Sequence, residues 1–406
     1  MTHPGFVRSG PPKVWPKRVH RSDVAETPAG VSRKEVVVQG SHRLGSYDAA
    51  TDTASVVIEM SPPLPAGCGI ARLSSAYAPA MSIPTTEELH ARFPVSNHRL
   101  HEIAQQRDEL RRQLIDGAQP KALFIVGPCS LDDAVLPNGE FAVIAYAQRL
   151  LALMSDPEIA RHVHIVMRIP PAKPRTSVGP RGLEETSIIQ SYMLLAQLAV
   201  LGVPLAMEVM HDRHFARFGH LLSMAWVGAR NVEDTLLRHA VGFYDQMPVW
   251  FKHSNRPRLH EALDAQATAG ESHWVEFLGS DGKLRRAHSQ GNPATGVILR
   301  GWTGMSVDEY EAVLHSGQRM IVDCSHDVAS ANSDDGQRGP AGQKAAFERA
   351  VSARQQGAPI DGFMLESYLR SGSDPTGNTP GMSRTDPCLS WYQTEELIWS
   401  YVDRVS

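Results

Sequence analysis

Residues 122–130 read ALFIVGPCS, and residues 319–327 read RMIVDCSHD. Each is a short, nearly continuous apolar run that stops abruptly at polar or ligating side chains, the pattern of a strand buried on both faces. Six more runs of this kind occur: HIVMRIP (164–170), PLAMEVM (204–210), MAWVGAR (224–230), PVWFKHS (248–254), GVILRG (296–301) and GFMLESYL (362–369). Most are followed by a stretch of helical character. Strands buried on both faces and alternating with helices indicate a parallel sheet, and eight such units are the number that closes a barrel. An open doubly wound sheet is the alternative, but no GxGxxG follows the first strand. The expected fold is therefore α/β, a (β/α)8 TIM barrel.

Outward from the first run, TTEELHARFPVSNHRLHEIAQQRDELRRQLIDG (85–117) is expected as a helical lead-in. Thr85 or Thr86 would cap its first helix and Gly117 would end its second. The residues before it differ from the rest, with PGFVRSGPPKVWPKRVHR and SPPLPAGCG rich in proline, glycine and basic side chains. Two β-like runs, at 35–40 and 55–60, interrupt them. Residues 1–80 are expected to be an N-terminal extension, partly disordered or a small β-hairpin, and residues 81–406 the catalytic barrel with its lead-in.

Among the 406 residues, 42% are hydrophobic and 21% charged, as in a globular protein with ample material for a core. The formal net charge of −4 gives no overall pull toward nucleic acid or an anionic membrane, so neither is expected as a partner. An anionic ligand would need a local basic cluster. Four cysteines without a CxxC pair are read as thiols in a reducing compartment, any of them a potential metal ligand. No run approaches the roughly 18 apolar residues of a membrane span. The cytoplasm is the expected location.

The eight runs terminate at Cys129, Arg168, Glu208, Arg230, Lys252, Arg300, His326 and Glu366. In a barrel these ends share one face, where active sites are built, whereas chance would scatter polar residues over both ends. Arg168, Arg230, Lys252 and Arg300, with Lys173 and Arg175 on the loop after the second strand, would place six cations at one mouth. Arginine forks suit carboxylate and phosphate, so a polyanionic ligand is expected there. Cys129, His326 and Glu366, with Asp386 on the loop after the eighth strand, offer sulfur, nitrogen and oxygen donors. Such a mixture suits a divalent transition metal such as Mn, Fe, Co or Zn. Taken singly, each of these residues also has an ordinary structural explanation: a core thiol, a satisfied histidine, a solvated charge.

GPCSLDD (127–133), MRIPPAKPRTSVG (167–179), VGARNVED (227–234), FKHS (251–254), ILRG (298–301), DCSHD (323–327), ESYL (366–369) and TDPCLSW (385–391) resemble, in order, the signature segments of class I, microbial-type 3-deoxy-D-arabino-heptulosonate 7-phosphate (DAHP) synthases. The resemblance runs from about residue 80 to the end. It implies a metal held by Cys129, His326, Glu366 and Asp386. It implies that Arg230 and Lys252 grip the phosphate of phosphoenolpyruvate, that Arg168, Lys173 and Arg300 meet its carboxylate, and that Glu208 stands nearby. Arg175 and Thr176 fall where the family holds the phosphate of an aldose acceptor, erythrose 4-phosphate. Lys173 is the expected proton carrier, and Cys129, His326 and Asp386 count as catalytic through the metal. Assembly as a homodimer or homotetramer is implied as well.

The chain departs from the family pattern in three places: PPA (170–172) where an acidic residue usually precedes KPRT, HSNRP (253–257) after FK, and DVAS (327–330) before ANS. These lie near the second substrate. A relative with the same donor but another aldehyde therefore stays open, as does an inactive barrel acting as a regulatory subunit, although no metal ligand or anchor arginine is missing. Cys324 and Cys388 are expected near Cys129, where oxidative pairing would disable the site.

Overall fold

A computed structural model of the chain describes residues 83–116, 121–132, 135–170, 185–254, 259–300, 307–314, 316–326 and 339–406, together with four short strands between 34 and 75. Contacts divide the chain into Met1–Met81 and Ser82–Ser406. In the first unit β1 (Lys34–Val36), β2 (Gly45–Asp48), β3 (Thr53–Val56) and β4 (Leu73–Ser75) pair in that order as an antiparallel sheet. β1 and β3 overlap the ends of the two β-like runs; the rest of those runs lies outside the described residues.

In the second unit the eight apolar runs are eight parallel strands that close into a barrel. They are β5 (Ala122–Gly127), β6 (Val163–Arg168), β7 (Leu205–Val209), β8 (Met224–Val227), β9 (Val249–Lys252), β12 (Thr295–Arg300), β13 (Met320–Asp323) and β14 (Ile360–Glu366), with β14 pairing β5 to complete the ring. The lead-in forms α1 (Thr86–Arg92) and α2 (Asn97–Asp116). Helices between the strands are α3 (Ala142–Met154), α4 (Pro157–His162), α5 (Glu185–Leu201), α6 (Asp212–Phe218) and α7 (Thr235–Phe243). Then come α8 (His260–Gly270), α9 (Val307–Leu314), α10 (Pro340–Gln355) and the terminal α11 (Trp391–Val405). Among the described residues no helix is long and apolar enough to cross a membrane. Thr85 caps α1 as expected, its hydroxyl accepting from Glu88 N while the Glu88 carboxylate accepts from Thr85 N.

Side chains alternate across each strand. One set, including Phe124, Val126, Ile165, Met167, Phe251 and Leu299, faces the helices as the outer core. The other fills the barrel with Leu123, Ile125, Val166, Ala206, Met224, Trp226, Trp250, Ile298, Ile321 and Met364. Two glycines make room in this inner packing. A Cβ on Gly296 would come within 2.4 Å of the Trp250 ring, and one on Gly362 within 1.9 Å of the Leu123 carbonyl oxygen.

Leu110, and with it Leu114, extends the inner cluster from α2, so this helix covers the barrel at the strands' N-terminal ends. Three arginines hold it there. Arg107 donates to Leu222 O and Gly219 O, and Arg111 to Asp245 O. Arg319 donates to Leu114 O and Gln113 O, binding carbonyls of the last turn of α2, and pairs with Asp361 at 2.9 Å.

One element was not anticipated. Trp274–Leu278 (β10) and Leu284–His288 (β11) form an antiparallel hairpin between β9 and β12. Its local signal is the Asp281-Gly282 pair, with Gly282 at φ +78° in the turn.

Burial pushes the Asp361 carboxyl up to about 6, although Arg319 pulls the other way. The folded chain thus holds this proton more tightly than the unfolded chain, whose value is near 3.8. The stabilisation this gives is complete below about pH 4 and is lost as the pH rises through about 6, a difference on the order of 2–3 kcal/mol. Relative to Asp361→Asn, the wild-type urea midpoint should fall across this window. Parallel profiles for the two proteins would refute the assignment.

Candidate active site

The inward positions beyond the apolar layers carry charge. Continuing the alternation from Val166, Ala206, Trp250, Ile298, Ile321 and Met364 gives Arg168, Glu208, Lys252, Arg300, Asp323 and Glu366 as one ring at the strands' C-terminal ends. β5 and β8 contribute glycines to the same ring. A Cβ on Gly127 would lie 2.9 Å from Arg168 Cγ, and one on Gly228 1.9 Å from Glu208 Oε1. The absent side chains are the space that the arginine and the glutamate occupy.

Buried charges need partners, because each loses its hydration. Arg168 Nη2 lies 3.0 Å from Glu366 Oε1, with both side chains almost fully buried. Trp226 flanks the guanidinium at 5.6 Å. Lys252 Nζ lies 2.7 Å from Asp323 Oδ2. The expected cation cluster is thus answered from within. Arg168, Lys252 and Arg300 share the buried ring with carboxylates, and Arg230 stands exposed on the turn after β8. Lys173, Arg175 and Thr176 lie outside the described residues.

Asp323, and not the expected His326, ends β13 and joins the ring. The alternation from Ile321 is the signal that finds it. Its Oδ2 accepts from Lys252 Nζ and, at 2.8 Å, from His326 Nδ1, while Oδ1 accepts from Ser325 N. Burial pushes the Asp323 carboxyl up, but His326 and Lys252 outweigh it and hold the group well below the usual range. Burial in turn lowers the Lys252 ammonium from its ordinary value, with Asp323 opposing and Arg168 and Arg300 reinforcing the shift. Donation from Nδ1 fixes the His326 tautomer and leaves the Nε2 lone pair, 3.3 Å from Glu366 Oε1, for a metal ion to take.

Beside this ring, one donor atom each of Cys129, Glu366 and Asp386 lie within 4.8 Å of one another. The Cys129 thiol donates to Asp386 Oδ2 at 3.0 Å and accepts from Thr385 Oγ1 at 3.2 Å. Of the four expected metal ligands, three therefore converge, and the fourth, His326, adjoins Glu366 without belonging to the group of three. Gln343 of α10 fixes Glu366 by accepting from its backbone N and donating to its backbone O. Cys388 Sγ lies 3.4 Å from Cys129 N, whereas Cys324 is buried with its thiol facing Val322 O.

A divalent cation fits this set. Burial first, and then Glu366 and Asp386, push the Cys129 thiol well above its ordinary value. Glu366 Oε1 is buried and, although near Arg168 and His326, makes no aligned hydrogen bond. An ion would use that lone pair, ionise the thiol and take the prepared Nε2 of His326.

The sequence profile of the DAHP synthetase I family matches residues 92–398. Among curated relatives, the phospho-2-dehydro-3-deoxyheptonate aldolase, Tyr-sensitive, of Salmonella typhimurium is 32% identical over 339 residues, covering 77% of this chain and 90% of that protein. The Trp-sensitive enzyme of Escherichia coli K12 is 30% identical over 341 residues, covering 78% and 93%. In fold the chain is similar to the phospho-2-dehydro-3-deoxyheptonate aldolase of Francisella tularensis SCHU S4. The TM-score is 0.69 at 23% identity, over 80% of this chain and 97% of that one.

If Asp323 balances Lys252 in the buried ring, the two must be energetically coupled. Asp323→Ala should cost about 3–5 kcal/mol in urea unfolding because it leaves the ammonium buried and unpaired. Adding Lys252→Met should recover part of that loss. Strict additivity across the double-mutant cycle would show that the pair is not coupled.

Proposed function

The chain belongs to the DAHP synthetase I family, and from that membership we propose that it condenses phosphoenolpyruvate with erythrose 4-phosphate to DAHP, releasing inorganic phosphate. The observation that carries this function is the juxtaposition of the charged ring with the Cys129, Glu366 and Asp386 donor set at one end of the barrel. Two anionic substrates have to be brought together, and only paired, preorganised cations can hold them without a large cost in repulsion.

Arg168, Arg300 and Lys173 take the carboxylate of phosphoenolpyruvate in this proposal, and Lys252 and Arg230 its phosphate. Arg168 Nε and Nη1 are buried without a hydrogen-bond partner among the described residues, so a ligand carboxylate has donors ready for it. Lys252 can exchange part of its bond to Asp323 for a phosphate oxygen. Glu208 stands in the same ring beside the bound enol. Arg175 and Thr176 hold the phosphate of the acceptor. Cys129, His326, Glu366 and Asp386 would hold a divalent ion of the Mn, Fe, Co or Zn type, which when bound supplies Lewis-acid polarisation of the acceptor aldehyde. C3 of the enol then bonds to the aldehyde carbon, water adds at the electron-poor C2, and phosphate leaves by C–O cleavage. Lys173, a lysine among cations, carries the proton. Function in the cytoplasm as a homodimer or homotetramer belongs to the same proposal.

A second acceptor remains a specific alternative because of His253. The sequence departs from the family there, and the imidazole is fully buried, its Nε2 3.4 Å from Arg300 O. This buried imidazole braces the Arg300 backbone within the segment where the chain departs from the family, and that departure is the ground for the alternative.

Incubating the protein with phosphoenolpyruvate, a divalent metal and a panel of aldehydes, while following phosphate release and product mass, separates the two. Erythrose 4-phosphate should turn over best. If it is ignored while another aldehyde reacts, the alternative replaces the proposal. Lys173→Met should lower kcat by about 100-fold or more, as for loss of a proton carrier, with metal content retained. Equal loss of metal and turnover would remove that role from Lys173.

A further inference from the structure

Asp386 and Cys129 come from segments more than 250 residues apart, and Asp386 is exposed on a loop. Something must set the distance between them. The loop after β14 is first stitched to itself. Gly372 and Cys388 exchange backbone hydrogen bonds, Arg370 N donates to Gly381 O, and Asp374 N donates to Ser383 O. The Asp374 carboxylate accepts from both Thr376 and Thr379. The loop's return is also bonded to the barrel just past Asp386, where Gln343 donates to Pro387 O and Leu389 exchanges backbone bonds with Glu366 and Tyr368; what is left to set is its approach to the segment after β5.

Two side chains of that segment make the tie. Asp132 Oδ1 accepts from Tyr368 Oη at 2.6 Å, and Oδ2 accepts from Gly381 N, also at 2.6 Å. One carboxylate thus grips the loop where it leaves the barrel and again at its far turn. Gly381 can offer its amide because it sits at φ +76°, and a Cβ there would meet Leu369 Cβ at 2.7 Å. Ser130 adds neutral contacts next to Cys129, accepting from Arg384 N and lying within hydrogen-bond distance of the Thr385 and Ser383 hydroxyls. The carboxylate bonds are charge-assisted and so the stronger of the two sets.

We propose that Asp132 is a positioning residue for the metal-donor set: by holding Tyr368 and Gly381 it carries Asp386 to Cys129 and fixes the spacing a divalent cation requires. The proposal rests on the metal-dependent function given above, but the clamp itself is a property of the protein without metal. Its role differs from that of an ordinary loop tie in a measurable way. Releasing an ordinary tie lowers stability, whereas releasing this one misplaces a ligand in a fold that persists.

The test uses the full chain as wild type, Asp132→Ala, Asp132→Asn and Tyr368→Phe. Metal-free protein is titrated with Co2+, reading affinity and the thiolate-to-cobalt absorption band. Iodoacetamide labelling of Cys129 without metal, located by peptide mass, and the thermal midpoint are measured alongside. Asp132→Ala should bind Co2+ about 10–100-fold more weakly, the range for loss of an outer-sphere partner, with a diminished band. Cys129 should be labelled faster, and the loss of affinity should exceed what the drop in thermal midpoint accounts for. Asp132→Asn, whose single oxygen can still accept one of the two bonds, should recover part of the affinity, and it carries the same readouts should the alanine variant fail to fold. Wild-type affinity and band in Asp132→Ala would overturn the proposal. So would losses of affinity in the Asp132 and Tyr368 variants that track their thermal midpoints. If wild type itself binds no Co2+, the metal-dependent function falls instead, and labelling decides the clamp: faster labelling of Cys129 in Asp132→Ala upholds it, and unchanged labelling overturns it.

Discussion

A charge inside a closed barrel has no water to turn to, and everything at the strands' C-terminal ends follows from how that cost is met. Arg168 with Glu366 and Lys252 with Asp323 are short buried pairs, each made by residues two positions beyond an apolar side chain that fills the barrel. A ring of paired charges above packed hydrocarbon is stable enough to keep and polar enough to exchange partners with an anionic ligand. Pairing also sets side-chain direction. Asp323 spends one oxygen on both Lys252 and His326, so the same carboxylate that neutralises a lysine also orients an imidazole.

The sequence made the barrel legible because buried parallel strands are hydrophobic on both faces, and all eight runs end where the chain changes to ligating or charged residues. It was less explicit about which residue of each strand end turns inward. Cys129, Arg230 and His326 lie past the ends of their strands, and only the two-residue alternation separates them from ring members such as Asp323. Gly127 and Gly228 were invisible as site residues for a related reason. Their contribution is the absence of a side chain, and what that absence admits depends on a neighbouring strand. The β10–β11 hairpin was overlooked because its outer face mixes Trp274 and Leu284 with charged residues and so lacks a clean apolar run.

The donor set shows the opposite case, in which residue chemistry was plain and geometry was not. Sulfur, imidazole and carboxylates at strand ends and on the loop after β14 point to a divalent ion from residue chemistry alone. No local spacing could have shown that Asp386 reaches Cys129, since that depends on a loop folded on itself and docked through Asp132 and Ser130. Family membership, shown by the profile match and by relatives at about 30% identity, places this arrangement in a known line of enzymes.

The position of α2 has a consequence for how such proteins can diversify. A helix that precedes the first barrel strand serves as the floor, with Leu110 against the inner cluster and Arg319 gripping its final turn. The irreducible unit of inheritance is thus the barrel plus its plug, and recombination that cut between them would expose Trp250 and its neighbours to solvent.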